Sequence, residues 1–180
     1  MMAAWSRRMA VLALAGLVSS GCGYALAGRA SSLPPGIVSI GIPDFVNEST
    51  VPEIDRVLTD AIRVEFQSKG RYRIVPESVG VDALLVGRVT SVVLQPSTFT
   101  DQNQVARNFV ITTASIEFRE VSSGRVIWTN PAFQSRDEYE VTSGAVSADT
   151  SALLRQDADA FERLARSFAR TVVTSIFEAF

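Results

Sequence analysis

The chain is predicted to be an α+β protein: two helices packed on one face of a mixed four- to five-stranded sheet, in the order β-α-β-β-β-(β)-α. Two apolar stripes at helical spacing, over 54–66 and 154–177, supply the helices. Period-two alternation over 108–120, then Ser122-Ser123-Gly124 and a returning Val126-Ile127-Trp128, supplies a hairpin and with it the sheet. Placing both helices on one face buries both stripes and leaves the other face for water or a docking partner.

The elements follow in order. Ile37 to Ile42 alternates as a first strand and is stopped by Pro43. Thr50-Val51-Pro52-Glu53 reads as a capping box, the Thr50 hydroxyl taking the Glu53 amide while the carboxylate reaches back. The helix behind it carries Ile54, Val57, Leu58, Ala61, Ile62 and Phe66 on one stripe and ends at Gly70. Arg71 to Val75 is a short strand closed by Pro76. Ala83 to Leu94, dense in Val and Leu, reads as a central strand buried for most of its length.

Gln95 to Gln104 is expected to be a polar excursion, with Phe99 at its tip as a partner contact or a folded-back anchor. Asn108 to Glu120 then puts Val110, Thr112, Ala114, Ile116 and Phe118 on one face. Pro131 interrupts the returning strand and marks an edge or a bulge; 133–141 continues it. Residues 142–148 are small or apolar and form a loop. From Ser151 to Phe180 a helix of roughly 40 Å, capped by Asp149, Thr150 or Ser151, carries Leu154, Ala158, Phe161, Leu164, Ala165, Phe168, Val172, Ile176 and Phe177.

Ahead of this domain lies a leader. Arg7-Arg8, the apolar run Met9 to Val18 and Ser19-Ser20-Gly21-Cys22 make a bacterial secretion signal with small residues before a cysteine. The run is well short of the ~20 residues that span a bilayer. Cleavage after Gly21 makes Cys22 the lipidated N-terminus, and Gly23 after it carries no inner-membrane retention signal. The organisation is therefore 1–21 signal peptide, 22–35 lipidated tether rich in Gly, Ser and Pro, and 36–180 a single domain in the periplasm.

Removing the signal leaves fifteen basic residues against nineteen acidic ones, a net charge of −4. That excludes nucleic acid as a partner, because phosphate neutralisation needs a basic surface. Arginines are spread along the chain rather than clustered. With no histidine and a single cysteine, the chain lacks the usual general base, metal ligand and nucleophile pairs. No metal or cofactor is predicted. Two sets of carboxylates remain, Asp44 with Glu48 and Asp137, Glu138 and Glu140, the last pair sharing a strand face, which a glycosidase could use. Their plainer role is to solvate an exposed sheet edge and block edge-to-edge pairing.

The ordered motifs are Cys22-Gly23-Tyr24-Ala25-Leu26-Ala27-Gly28, Leu33-Pro34 and Ile40-Gly41-Ile42-Pro43-Asp44-Phe45-Val46-Asn47. Leu58-Thr59-Asp60-Ala61 with Glu65-Phe66, Gly70-Arg71-Tyr72, Ala83-Leu84-Leu85-Val86-Gly87 and Gly124-Arg125-Val126-Ile127-Trp128 follow. As a set they resemble the lipopolysaccharide-assembly lipoprotein family LptE over the whole mature chain. The resemblance implies a non-enzymatic outer-membrane lipoprotein that plugs and helps assemble an LptD-like β-barrel and assists lipopolysaccharide transport. It also implies lipopolysaccharide as a ligand, held by basic side chains on loops at one end of the sheet. In the corresponding loops, 96–107 and 142–150, the basic side chain is Arg107. A periplasmic adaptor or activator contacting peptidoglycan or its synthases ranks second, and a carboxylate hydrolase third.

Overall fold

The computed structural model describes residues 33–99, 105–140 and 158–180. The elements are β1 (Ser39–Gly41), β2 (Val46–Asn47), α1 (Ile54–Ser68), β3 (Arg73–Val75), β4 (Ala83–Phe99), β5 (Val105–Glu120), β6 (Val126–Glu140) and α2 (Ala158–Glu178). One mixed sheet runs β3-β1-β4-β5-β6, and β2 adds a short parallel pairing to β4. The α+β class with two helices holds. The count is six strands rather than four or five, because β2 is two residues long and has no period to read. The β1–α1–β3 segment is a parallel crossover, whereas β4, β5 and β6 form an antiparallel meander.

Alternation decides the faces. Val110, Thr112, Ala114, Ile116 and Phe118 of β5 are all buried, and Leu85 and Val89 sit beside Phe118 and Ala114 on β4. Burial on both faces of β4 is confined to its first residues, Ala83 to Leu85; beyond them inner and outer positions separate. Both helices cover the same inner face. Ile54, Leu58, Ile62 and Phe66 of α1 and Phe168, Val172, Val173 and Ile176 of α2 have no exposed surface. Two ring clusters knit the layers together. Phe66 meets Phe118 at 6.4 Å and Phe177 at 6.0 Å, while Phe168 stands edge-on to Phe133 at 5.4 Å. Gly87 lies under the Phe45 ring, where a Cβ would come within 2.2 Å of a ring carbon.

Two local expectations are corrected and a third holds. The capping box over Thr50 and Glu53 does not form: helix α1 starts at Ile54, and Glu53 is its N-cap with no side-chain cap bond. Glu53 is therefore too early to act as the fourth residue of a box, and it takes φ 62°, a left-handed conformation costly for a residue with a Cβ. The Asn47 side chain organises the approach instead, donating to Val51 O at 2.8 Å and accepting the Ser49 amide at 2.9 Å. Second, the excursion expected over 95–104 is strand as far as Phe99, with β4 pairing Pro96 to Asn108 and Thr98 to Arg107; 100–104 lie outside the described residues. Backbone pairing continues the strand into a polar stretch, so side-chain polarity did not reveal it. Third, as expected, the strand returning at 126–128 continues through 133–140, and Pro131 lies at a bulge on the sheet edge, where β6 slips by one residue between the Ala114 and Ile116 pairings.

Helix α2 is described from Ala158, so Leu154 and the candidate caps at 149–151 lie outside the described residues. Its described length is about 31 Å at 1.5 Å per residue. Core packing begins ahead of the first strand: Leu33 is buried, and its amide donates to Tyr72 Oη at 3.0 Å. Because Phe168 is fully buried, edge-on to Phe133 of the sheet, Phe168→Ala is expected to destabilise by about 3–5 kcal/mol. A urea midpoint equal to that of the wild type would refute this placement.

Candidate functional site

With both helices buried on one side, the opposite sheet face is uncovered among the described residues. On it the register sets Val93 beside Ile111 and Arg136, Gln95 beside Phe109 and Glu138, and Val86 beside Glu117. Val93 is 48% exposed, and Val86, Phe109 and Ile111 are half-buried. The Arg136 guanidinium lies 3.7 Å above the Phe109 ring, a diagonal cation–π contact across β5 and β6. Ion pairs frame the row: Arg88 with Glu48, and Arg119 with Glu117 at 3.4 Å. Thr113 and Gln134 add a hydrogen bond of 3.5 Å between them. A short apolar row with polar margins suits docking against another surface better than chemistry on a small molecule.

Of the predicted carboxylates, Asp137 and Glu138 share a cavity, while Asp44 and Glu48 are ion-paired elsewhere. Asp44 is paired with Arg63 at 2.8 Å, and Glu48 with Arg88 on the open face. Arg63 is fully committed to the fold, since its Nε and Nη2 also donate to Ile42 O at 2.9 and 2.7 Å, the carbonyl before Pro43. Asp137 accepts the Ser135 hydroxyl at 2.9 Å and, with Glu138 and Arg163, lines a cavity of about 230 Å³ under the start of α2. Next to it Thr112 Oγ1 is buried with no hydrogen-bond partner among the described residues. Glu140 and Arg107 are opposite one another in register on β6 and β5; their side chains are outside the described residues. Cys22 lies outside them too. Among the described residues no group of three potential ligands could hold a metal ion, and no helix is long and apolar enough to cross a membrane.

Asp82 is a carboxylate that the sequence did not single out. Its Oδ2 accepts the amides of Ser39 at 2.8 Å and Val38 at 3.0 Å, and the Ser39 hydroxyl at 2.8 Å. Those bonds to the Ser39 and Val38 amides, with the Ser39 hydroxyl and the charge of Arg73, hold its pKa below the usual aspartate range against a smaller opposing effect of burial. A general acid needs the opposite shift. Asp82 is a clamp that joins the start of β4 to β1, and its only sequence signal was a lone charge at the head of an apolar strand.

A profile of the LptE family, described as lipopolysaccharide-assembly, matches residues 37–176. No curated protein matches the chain. Among solved structures, the hypothetical protein CT253 from Chlamydia trachomatis is similar with a TM-score of 0.51 and 8% identity, covering 78% of this chain and 96% of that one. The rare lipoprotein B from Shewanella oneidensis gives 0.42 and 14%, covering 73% and 94%. PelC from Paraburkholderia phytofirmans, a dodecamer, gives 0.44 and 14%, covering 73% and 83%. The first of these supports the fold alone.

The clamp makes a pH prediction. The folded pKa of Asp82 lies below its unfolded value, so its stabilisation is complete above the unfolded value and lost as pH falls through the folded one. Asp82→Asn is expected to lower the thermal midpoint at neutral pH and to flatten its decline below about pH 4. Parallel acid limbs in the two proteins would show that the carboxylate is not the linked group.

The family profile spans the strand–helix–strand opening, the meander and nearly all of the last helix, and so the chain belongs to the LptE lipopolysaccharide-assembly family.

Proposed function

We propose that the chain is a lipid-anchored outer-membrane lipoprotein that fills and steadies an LptD-like β-barrel and assists lipopolysaccharide transport, without catalysis of its own. Family membership over the folded domain supports this reading. The observation that carries it is the uncovered sheet face, whose row from Val86 and Val93 to Ile111 and Phe109 is wetted in the isolated chain. The barrel wall is the surface proposed to cover it. Cys22 is the proposed anchor, its acyl chains contributing about 0.8 kcal/mol per buried CH₂. Arg107, on the arm of the projecting hairpin, remains the candidate lipopolysaccharide contact.

A tagged chain extracted from outer membranes in mild detergent is expected to co-purify with a large β-barrel; recovery of the chain alone would refute the plug role. Val93→Glu is expected to reduce barrel recovery about tenfold while changing stability by less than about 1 kcal/mol, as an exposed position. Undiminished recovery would move the interface off this face. Cys22→Ala is expected to shift newly made protein, in cells lacking the barrel, from the membrane to the soluble periplasmic fraction. Retention in carbonate washes there would rule out the acyl chains as the anchor.

A further inference from the structure

The helix layer has an outer surface of its own. Phe66 and Phe177, near the C-terminal ends of α1 and α2, touch each other, while Arg56 and Phe161, near the N-terminal ends, line one groove. The helices therefore run side by side in the same direction, and the groove between them has a volume of about 560 Å³. Its floor is Val57, Ala61, Val64, Phe161 and Ala165; Val64 is 64% exposed, and Val57, Ala61 and Phe161 are half-buried. The two alanines let a third element approach closely.

Charge along the rim is unbalanced by pairing rather than by composition. Asp60 is held by Arg63 at 2.8 Å, Glu65 by Lys69 at 3.0 Å, and Glu162 by Arg166 at 3.1 Å. Arg56 on α1 and Arg170 on α2 have no partner among the described residues and are exposed. Two free guanidinium forks thus flank an apolar floor whose carboxylates are already occupied. These arginines are far apart in sequence, and the fold gathers them.

We propose that this groove docks an acidic amphipathic helix of a partner protein. The lining runs from Arg56 to Glu65, about 14 Å along α1. Apolar anchors at i, i+4 and i+7 span about 10 Å of a helix and fit that length. Carboxylates beside the anchors would meet Arg56 and Arg170 as charge-assisted, fork-shaped pairs. The groove is open along its floor, so a lipid acyl chain laid in it would stay wet on one side. An amphipathic helix carries its own polar cover. This surface lies on the far side of the helices from the uncovered sheet face.

The test uses the full chain in non-ionic detergent and two labelled synthetic peptides of about 14 residues, with Leu at i, i+4 and i+7. One has Glu on the flanks and the other has Lys. Fluorescence anisotropy is expected to show the Glu peptide binding, more weakly as salt rises. Arg56→Glu and Arg170→Glu should each weaken it about tenfold, with near-ultraviolet circular dichroism unchanged. The Lys peptide should not bind. Equal binding of both peptides, no binding of either, or affinity indifferent to both substitutions would overturn the proposal. So would arginine-dependent binding of phosphatidylglycerol vesicles without binding of the Glu peptide, since the occupant would then be a membrane.

Discussion

One-sided burial is the constraint on which this molecule depends. Both helices send their apolar stripes to the same face of the sheet, so every inner position of β5 from Val110 to Phe118 must be buried. Every outer position is then left without a layer above it among the described residues. The ring contacts from Phe66 to Phe118 and from Phe168 to Phe133 fix each helix to a particular strand rather than to the sheet at large. Close approach at Gly87 lets the buried Phe45 ring lie against β4. Stability and an available surface come from the same arrangement.

Polar side chains fix what apolar burial leaves degenerate. A three-residue strand such as β1 has little intrinsic register, because hydrophobic contact is not directional. Asp82 pins one end through two amides and a hydroxyl, and Arg63 closes the other through the Ile42 carbonyl. Thr59, fully buried in α1, accepts the Phe45 amide at 3.0 Å and gives its proton to Asp55 O at 2.6 Å. These bonds satisfy backbone groups where the chain leaves the sheet, where an unpaired amide or carbonyl would be costly.

Both helices and the β4–β6 meander were legible because repetition is redundant: Ile54, Leu58, Ile62 and Phe66 state one face four times over. The start of α1 was not legible, since a capping box and a Pro-Glu turn share the letters and only the backbone at Glu53 separates them. The hairpin beyond Gln95 was hidden for a related reason. Strand pairing there is carried by main-chain groups, which look alike whatever side chain they bear. Of the candidate site, the outer members of β4 and β5 could be read as the alternates of the buried ones. The partnership of Glu48 with Arg88 could not, nor could the gathering of Arg56 and Arg170, because separation along the chain carries no record of proximity in space.

Leu33 docks beside Tyr72, whose ring lies 6.0 Å from Phe177 in the final turn of α2. The polypeptide thus enters the core and finishes its last helix at one corner. The far end of β4, Phe99, is sixteen residues beyond Ala83, about 53 Å at strand rise. Seen from that corner, the molecule is a rod gripped at its handle. Whatever holds the chain at residue 33 holds it at the handle, and any load on the Phe99 end is returned there along β4.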